Sequence, residues 1–332
     1  MGPQVRILLI SDTHGSLGVI NELVSRTQAD AVIHAGDFGF YDDGSFEHLS
    51  ERELRLQIVH SNLPPEEKAR VLSLGEAGKI ESAREHCLLG DFQSYLDGRV
   101  RFHVPVYAVW GNHEDKAVVE RLVRGDLAVD NLHLLHQNQA FHLGQAFIYG
   151  LGGNLLPGAK MLQQPFAGGS GKVWSTLSQY ADWVGMVDKE AGQEAFRIQI
   201  THVSPGKEPF MEYLGARTRA NFTVSGHMGA PTTMTWNAFA VHSVEEARER
   251  LRQGLATVKT ACVKSTRGNP QWVEQQLARI EHMPGETDFL GHGQKEPPWY
   301  RGMTHINLPD AHMGYAVMDI ADGGAKLQTF LR

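Results

Sequence analysis

Residues 106–114 read VYAVWGNHE, a run of five apolar residues that leads directly into four residues of mixed chemistry. Its β-branched and aromatic content and its short length predict a buried β-strand rather than part of a helix. Asn112, His113 and Glu114 then place an amide, an imidazole and a carboxylate directly beyond that strand. An amphipathic helix is predicted next, over Lys116–Arg124. Open α/β sheets bind ligands at this point, just beyond the carboxyl ends of their strands.

Strands followed by polar residues recur on both sides of this block. The short apolar runs that predict buried strands are Ile7–Ile10, Ala31–His34, Val106–Trp110, Phe147–Leu151, Phe196–Ile200 and Phe222–Val224. Amphipathic stretches such as Leu17–Arg26 alternate with them, which indicates an α/β class. The polar groups that follow five of these strands are, in chain order, Asp12 with His14, Gly36 with Asp37, Gly111–Glu114, His202, and Gly226 with His227. A single group of this kind commonly forms a turn or a helix cap, but five at five strand ends predict one shared site.

The residue types in these groups suit metal-assisted hydrolysis. Hard oxygen donors mixed with imidazoles favour Mn, Fe or Zn, whereas soft thiolate sites would need cysteines. The chain has only two cysteines, Cys87 and Cys262, and they lie far apart. One carboxylate between two cations can bridge them at roughly 3.5–4 Å, and two such cations make a bound water acidic enough to be hydroxide near neutral pH. The pattern therefore favours two divalent metal ions.

The order D-x-H, G-D, G-N-H-E, H and G-H resembles that of the calcineurin-like metallophosphoesterase family. The resemblance covers roughly residues 5–40, 105–230 and 301–332. It implies a four-layer α/β/β/α sandwich of two mixed sheets flanked by helices. It also implies an enzyme, a phosphatase or phosphodiesterase that hydrolyses a phosphate ester with a hydroxide bridging two metal ions.

The resemblance also assigns roles to individual residues. It implies that metal one is held by Asp12, His14 and Asp37. It implies that metal two is held by Asp37, Asn112, His202 and His227. Asp37 would then bridge the two ions. His113 would lie beside the phosphate and protonate the leaving group.

The last motif departs from the family pattern, which usually reads G-H-x-H. Residues 226–229 read GHMG, so Gly229 stands where a histidine ligand of metal one is expected. The phosphoprotein phosphatase branch also lacks that histidine, but it carries Asp-Arg-Gly after its Gly-Asp, and this chain reads GDFGFYDDG. Three completions of metal one stay open: a water ligand, weak binding, or a histidine from the segment at about 231–300 or from the closing strands beyond it.

A second G-H pair, in FLGHGQ, makes His292 a rival of His227 for the last ligand. We favour His227 because the run FTVS before it is the better strand and because it follows His202 at a short spacing. His305 and His312 are interpreted as polar positions at strand ends rather than as ligands.

Two segments of the chain lie outside the resemblance, at about 44–100 and 231–300. Both are charged and predict helices, so we interpret them as insertions into a single domain that spans residues 1–332. The run GGSGKV at 168–173 is not a phosphate-binding loop, because the position that needs glycine is Phe166 and Val173 replaces Ser or Thr.

The charge of the chain limits its partners. Its 332 residues carry a formal net charge of −7, which disfavours non-specific binding of duplex nucleic acid. No signal peptide pattern and no apolar stretch long enough to cross a bilayer is evident, so a cytoplasmic location without membrane contact is expected. The oligomeric state stays open.

Two rival functions remain from the sequence. The first is a nuclease or nucleotide phosphodiesterase, in which Arg217 and Arg219 would steer phosphates along a basic groove. The second is a phosphate- or nucleotide-binding protein with a degenerate site, which Gly229 permits.

Overall fold

The computed structural model describes residues 4–61, 63–169, 171–192, 196–228, 232–237, 242–266, 269–283, 288–321 and 324–332. The strands in this part of the chain are β1 (Val5–Ile10), β2 (Ala31–His34), β3 (Val106–Ala108), β4 (Leu132–Leu134), β5 (Ala140–Leu143), β6 (Ala146–Leu151), β7 (Ala167–Gly169), β8 (Lys172–Trp174), β9 (Phe196–Thr201), β10 (Phe222–Ser225), β11 (Met234–Asn237), β12 (Thr304–Asn307), β13 (Gly314–Ala321) and β14 (Gly324–Leu331). The α-helices are α1 (Gly18–Thr27), α2 (Glu51–His60), α3 (Pro65–Ser73), α4 (Glu76–Glu85), α5 (Phe92–Leu96), α6 (Lys116–Arg124), α7 (Leu177–Glu190), α8 (Pro209–Arg217), α9 (Val244–Ser265), α10 (Pro270–Glu281) and α11 (Pro298–Gly302). None of the described helices is both long enough and apolar enough to span a bilayer.

Two mixed six-stranded sheets form the centre of the protein. The first has the order β14-β13-β1-β2-β3-β4, in which β1 to β4 are parallel and the last two strands of the chain add antiparallel. The second has the order β11-β12-β10-β9-β6-β5, with a parallel centre and an antiparallel strand at each edge. The predicted α/β class with two mixed sheets flanked by helices is thereby confirmed.

The sheets stack face to face, which explains the unbroken apolar runs in the sequence. Ile7 and Leu9 of β1 belong to the same buried cluster as Ile198 and Ile200 of β9. The alternate residue Leu8 faces the other way, into a cluster that the flanking helices share. A strand that is buried on both faces reads as continuously apolar rather than alternating. Each such side chain contributes roughly 1.5–3 kcal/mol through burial.

The two predicted insertions contain most of the described α-helices. The first segment holds α2 to α5, of which α2, α3 and α4 pack around a small apolar cluster that includes Leu54, Ile58 and Val71. Phe92 of α5 belongs instead to the main apolar cluster. The second holds α9, α10 and α11, but it also contains β11, which pairs antiparallel with β12. The prediction of a wholly helical second segment is therefore wrong at residues 234–237. That short stretch completes the edge of a sheet, a contact that local sequence does not reveal. The division of the chain into one domain with two insertions stays a prediction.

Candidate metal centre

Loops from both sheets converge at one end of the sandwich. Asp12 and His14 follow β1, Asp37 follows β2, and Asn112 and His113 follow β3. His202 and His227 follow β9 and β10 of the second sheet. The possible ligand atoms of Asp12, His14 and Asp37 all lie within 4.8 Å of one another, and the same is true of Asp37, His202 and His227. The structure thus brings together the residues that the sequence analysis singled out, with Asp37 common to both groups.

Four of these side chains project from backbone that is left-handed. The residues with positive φ are Asp12 at 54°, His14 at 47°, Asp37 at 49° and His227 at 59°. Residues other than glycine rarely adopt this conformation, and each instance costs on the order of 1–3 kcal/mol unless neighbouring structure enforces it. Here each loop turns sharply at the metal-competent residue, which aims the side chain at the shared centre.

Two motif glycines allow these loops to touch. A Cβ atom on Gly111 would lie 1.9 Å from Oδ1 of Asp37, and one on Gly226 would lie 1.9 Å from Oγ of Ser11. Both distances are far below a permitted contact, and both neighbours belong to well-buried loops of the first sheet. The glycine of G-N-H-E and that of G-H are therefore required by close approach of the loops.

His202 is oriented by a hydrogen bond away from the centre. It is fully buried, and its Nδ1 lies 2.9 Å from the carbonyl oxygen of Ala35, so Nδ1–H is the donor. The other nitrogen, Nε2, lies 2.9 Å from Oδ1 of Asn112 and 3.5 Å from Oδ2 of Asp37. The Nε2 atom of His202 and the two side-chain oxygens of Asn112 and Asp37 therefore lie close together, and their lone pairs could bind one cation. A backbone carbonyl that fixes the tautomer is the usual outer partner of a metal-binding histidine.

Glu114 joins two of the loops and is not one of the clustered ligands. Its fully buried carboxylate accepts four backbone hydrogen bonds, from Phe38 at 2.8 Å, Gly39 at 3.0 Å, Phe40 at 2.6 Å and Gly111 at 3.1 Å. Burial, reinforced by the charge of Asp37, raises the pKa of Glu114 to about 7, while three of these N–H groups act to lower it. The last residue of G-N-H-E therefore holds the G-D loop in place.

The charges of the side chains at this centre favour the binding of a cation. Burial acts to raise the pKa of Asp37, but the imidazoles of His202, His14 and His113 lower it to about 2. Burial raises the pKa of Asp12 to about 6. Burial also lowers the pKa of His227 to about 4, so at neutral pH its imidazole is uncharged, the form that binds metals. Carboxylate and imidazole donors together suit divalent cations.

His113 lies at the mouth of the centre and is about one-third exposed. A cavity of about 270 Å³ lies over this region and is lined by Asp12, His14, Asp37, Leu56, Gln57, His113, His227, Met228 and Asp310. A larger cavity of about 730 Å³ shares four of these residues and extends towards the segment that contains α2 to α4. The metal-competent side chains thus open into a cleft large enough for a small organic group.

Three residues near the centre were not singled out by the sequence analysis. Gln57 of α2 and Asp310, which follows β12, line both cavities, and Glu53 of α2 lies beside His113. Asp310 is brought there by a backbone bridge to Ser11, next to Asp12. No motif marks these positions, and they reach the site only through tertiary packing.

The rival ligands lie elsewhere or have other roles. His292 is exposed, its Nδ1 lies 2.6 Å from Oδ1 of Asp288, and it lines a different cavity. His305 is buried against Thr223, and His312 lines the larger cavity without joining either ligand group. The departure at Gly229 lies outside the described residues.

Arg217 does not steer phosphates. It is fully buried in α8, where it forms two hydrogen bonds with the carboxylate of Asp188 and donates to the carbonyl oxygen of Ile280. The arginine therefore ties α8 to its neighbouring helices, and the hypothesis of a phosphate-steering pair fails for this residue. The sequence gives no sign that this arginine is buried, because it lies in a helix next to a polar residue.

Stacked mixed sheets with a cluster of metal-competent residues at their strand ends define the architecture of a metallohydrolase. The model of the calcineurin-like phosphoesterase family matches residues 5–228, more than half of the chain, so this chain belongs to the calcineurin-like phosphoesterase family. It is a metal-dependent hydrolase that acts on phosphate esters.

Solved structures also resemble this chain at low sequence identity. One crystal structure, 11% identical, aligns over 99% of this chain and 100% of its own with a TM-score of 0.50, which shows the fold alone. A conserved uncharacterized protein from Streptococcus pneumoniae TIGR4, described as a predicted phosphoesterase, is 11% identical over 99% of this chain and 90% of its own, with a TM-score of 0.32. A metallophosphoesterase from Sphaerobacter thermophilus is 10% identical over 99% of this chain and 88% of its own, with a TM-score of 0.29. No curated protein matches the chain significantly in sequence.

Proposed function

We propose that this protein hydrolyses a small phosphate ester at a centre of two divalent cations. Metal one is assigned to Asp12, His14 and Asp37, and metal two to Asp37, Asn112, His202 and His227. The observation that carries the proposal is that Asp37 belongs to both groups of clustered ligand atoms. Mn, Fe or Zn would suit these oxygen and imidazole donors.

The proposed reaction assigns separate tasks to the protein groups. When bound, the two cations supply a hydroxide near neutral pH and neutralise charge on the transferring phosphoryl group. Asp37 contributes the carboxylate between the two positions. His202 is held with Nε2 towards the centre by its bond to Ala35. His113, at the mouth of the cleft, protonates the leaving oxygen as its bond to phosphorus breaks.

The charges that surround the larger cavity favour a small molecule over a nucleic acid. Its described lining residues include the acids Asp12, Glu22, Asp91 and Asp310. Its one arginine, Arg332, is paired with Glu22 at 2.7 Å. A nuclease would need a run of unpaired cations leading to the centre, because phosphate contacts dominate nucleic-acid affinity. We therefore assign this cavity to the leaving group of a small ester.

Both cysteines are unpaired, and the proposed location is the cytoplasm.

Metal content and substrate class can be tested together. The purified protein would be stripped with a chelator, reloaded separately with Mn, Fe or Zn, and assayed on an aryl phosphate monoester, an aryl diester and single-stranded DNA. The proposal expects two equivalents of metal and hydrolysis of an aryl ester. Preferred cleavage of DNA would support the nuclease hypothesis instead. Two bound metals without turnover of any substrate would support a phosphate-binding protein with a degenerate site.

A further inference from the structure

A carboxylate from the first insertion lies beside His113. Glu53 stands in the first turn of α2, and its side chain is only 1% exposed. Its Oε2 lies 3.6 Å from Nδ1 of His113, and its Oε1 lies 3.5 Å from Nζ of Lys172. Within the described part of the chain, neither carboxylate oxygen accepts a hydrogen bond. Glu53 is thus a buried acid that faces a lysine ammonium group and an imidazole that can be protonated.

The β7–β8 hairpin encloses this carboxylate. A Cβ atom on Gly171, where φ is +77°, would lie 2.3 Å from Cγ of Glu53. The N–H of Gly171 donates to the carbonyl oxygen of Glu114 at 2.7 Å, and the N–H of Val173 donates to that of Asn112 at 3.0 Å. The hairpin is therefore bonded to the G-N-H-E block on one side and closes over Glu53 on the other. This is a structural role for the glycine-lysine run that failed as a phosphate-binding loop.

Burial of Glu53 makes its cationic partners important. A carboxylate removed from water without hydrogen bonds is strongly unfavourable unless a positive group faces it. Lys172 is 43% exposed, so water screens much of its charge. The imidazole of His113 is the other partner, and the separation of 3.6 Å is that of an ion pair rather than of a hydrogen bond. Such contacts of catalytic groups often shorten when substrate binds.

We propose that Glu53 is a positioning residue that holds His113 through Nδ1, so that Nε2 faces the leaving oxygen of the substrate. The inference rests on the proposed function of His113 as proton donor. In the step itself, the Nε2–H bond breaks as the O–H bond of the leaving alcohol forms. The imidazole is left neutral, with its remaining proton on Nδ1 towards Glu53, and water restores the other proton. The first insertion would then be part of the catalytic apparatus and not only a cover.

Kinetics of Glu53→Gln would test the pairing, because glutamine keeps the shape of the side chain and removes its charge. Glu51→Gln is a matched control on the same helix, since Glu51 pairs with Lys79 at 3.0 Å and its side chain is 56% exposed. We expect Glu53→Gln to lower kcat about 10–100-fold for an alkyl phosphate, with little change in KM and a smaller loss for a nitrophenyl phosphate. The control should match the wild type. In a His113→Ala background, Glu53→Gln should cause no further loss. Additive losses, or equal losses for both leaving groups, would mean that Glu53 acts by packing alone.

A measurement on the metal-free protein separates this inference from the proposed function. Nitrogen-15 NMR of labelled histidine would show whether the neutral ring of His113 carries its proton on Nδ1 or on Nε2. We expect Nδ1–H in the wild type and a shift towards Nε2–H in Glu53→Gln. A wild-type ring protonated on Nε2 would overturn the pairing, even if Glu53→Gln failed to fold. If the expected tautomer is seen in an inactive protein, the proposed function fails and the pairing stands.

Discussion

The backbone N–H of His113 donates a hydrogen bond of 2.8 Å to Oδ1 of Asp37. The other oxygen of the same carboxylate, Oδ2, lies 3.5 Å from Nε2 of His202. One side chain therefore contacts the loop that carries the proposed proton donor and also faces a proposed metal ligand from the second sheet. A change at Asp37 is expected to disturb both the metal positions and the placement of His113.

Asp37→Asn should abolish turnover and lower metal content. Asparagine can still accept the hydrogen bond from His113, but it lacks the charge that two cations would share. Metal analysis and a rate assay would be compared with Asp126→Asn, a change at a surface residue whose side chain pairs with Arg124. A variant that keeps both metals and more than about a tenth of the rate would contradict the bridging role.

His113→Ala should lower turnover by about 10²–10⁴-fold, the scale of a positioned proton donor, with metal content unchanged. The loss should be smaller for nitrophenol esters, because a good leaving group needs little protonation. His292→Ala, at an exposed histidine, is the control. Equal losses across leaving groups would show that His113 only positions the phosphate.

Metal one should be lost before metal two when a chelator is added. The proposed assignment provides three protein ligands for metal one, from Asp12, His14 and Asp37, and four for metal two. Metal analysis at increasing chelator concentration should therefore show two phases. Gly229→His should give a single phase of metal loss, because it restores the histidine that the family pattern places at this position. A single phase in the wild type, or no effect of the substitution, would argue that metal one has another ligand or that position 229 faces away.

Glu114→Gln should destabilise the fold by about 2–5 kcal/mol. The amide cannot accept all four backbone hydrogen bonds, and each buried N–H left without a partner costs roughly 1–3 kcal/mol. Denaturant unfolding of the metal-free protein would measure the loss. Glu120→Gln removes a surface pair with Lys116 and should change stability by less than about 1 kcal/mol. Similar losses for both variants would show that the loops do not depend on Glu114.

His305 should make the protein less stable in acid. It is fully buried beside Thr223, and burial lowers its pKa from 6.5 to about 4. Because the folded state prefers the neutral ring, its contribution is complete above pH 6.5 and is lost as the pH falls through about 4. The shift corresponds to at most about 3 kcal/mol. Unfolding free energies of the wild type and His305→Gln between pH 7 and 4.5 should diverge in slope. Parallel curves would mean that another group carries the acid sensitivity.

Much of the fold could be predicted because strands that are buried on both faces appear in the sequence as short, continuous apolar runs. The strands β1, β2, β3, β6, β9 and β10 all correspond to short apolar runs. The edge strands β4 and β5 are only partly buried, and β11 lies in a segment predicted to be helical. Strands that are only partly buried need no continuous apolar run, so β4 and β5 carry a weaker signal.

The roles of the residues in the G-N-H-E block were also only partly predictable from the sequence. Its position after a strand predicted a site, but the carboxylate of Glu114 holds a loop instead of joining the ligand groups. Likewise, the charged helix that contains Glu53 has the composition of a solvated surface, yet this residue is 1% exposed. Composition indicates whether a segment favours solvent or the interior, whereas packing determines which residues each side chain contacts.

The sequence alone therefore determined the parallel strands and the residues at their ends. The reason is physical: doubly buried strands must be continuously apolar, and parallel strands end at a common edge. Only the tertiary structure decided that Glu114 holds the G-D loop, that Asp310 borders the cleft and that Glu53 lies beside His113. These contacts join residues from separate loops, strands and an insertion. Their geometry depends on how whole elements pack, and no local pattern of residues encodes that.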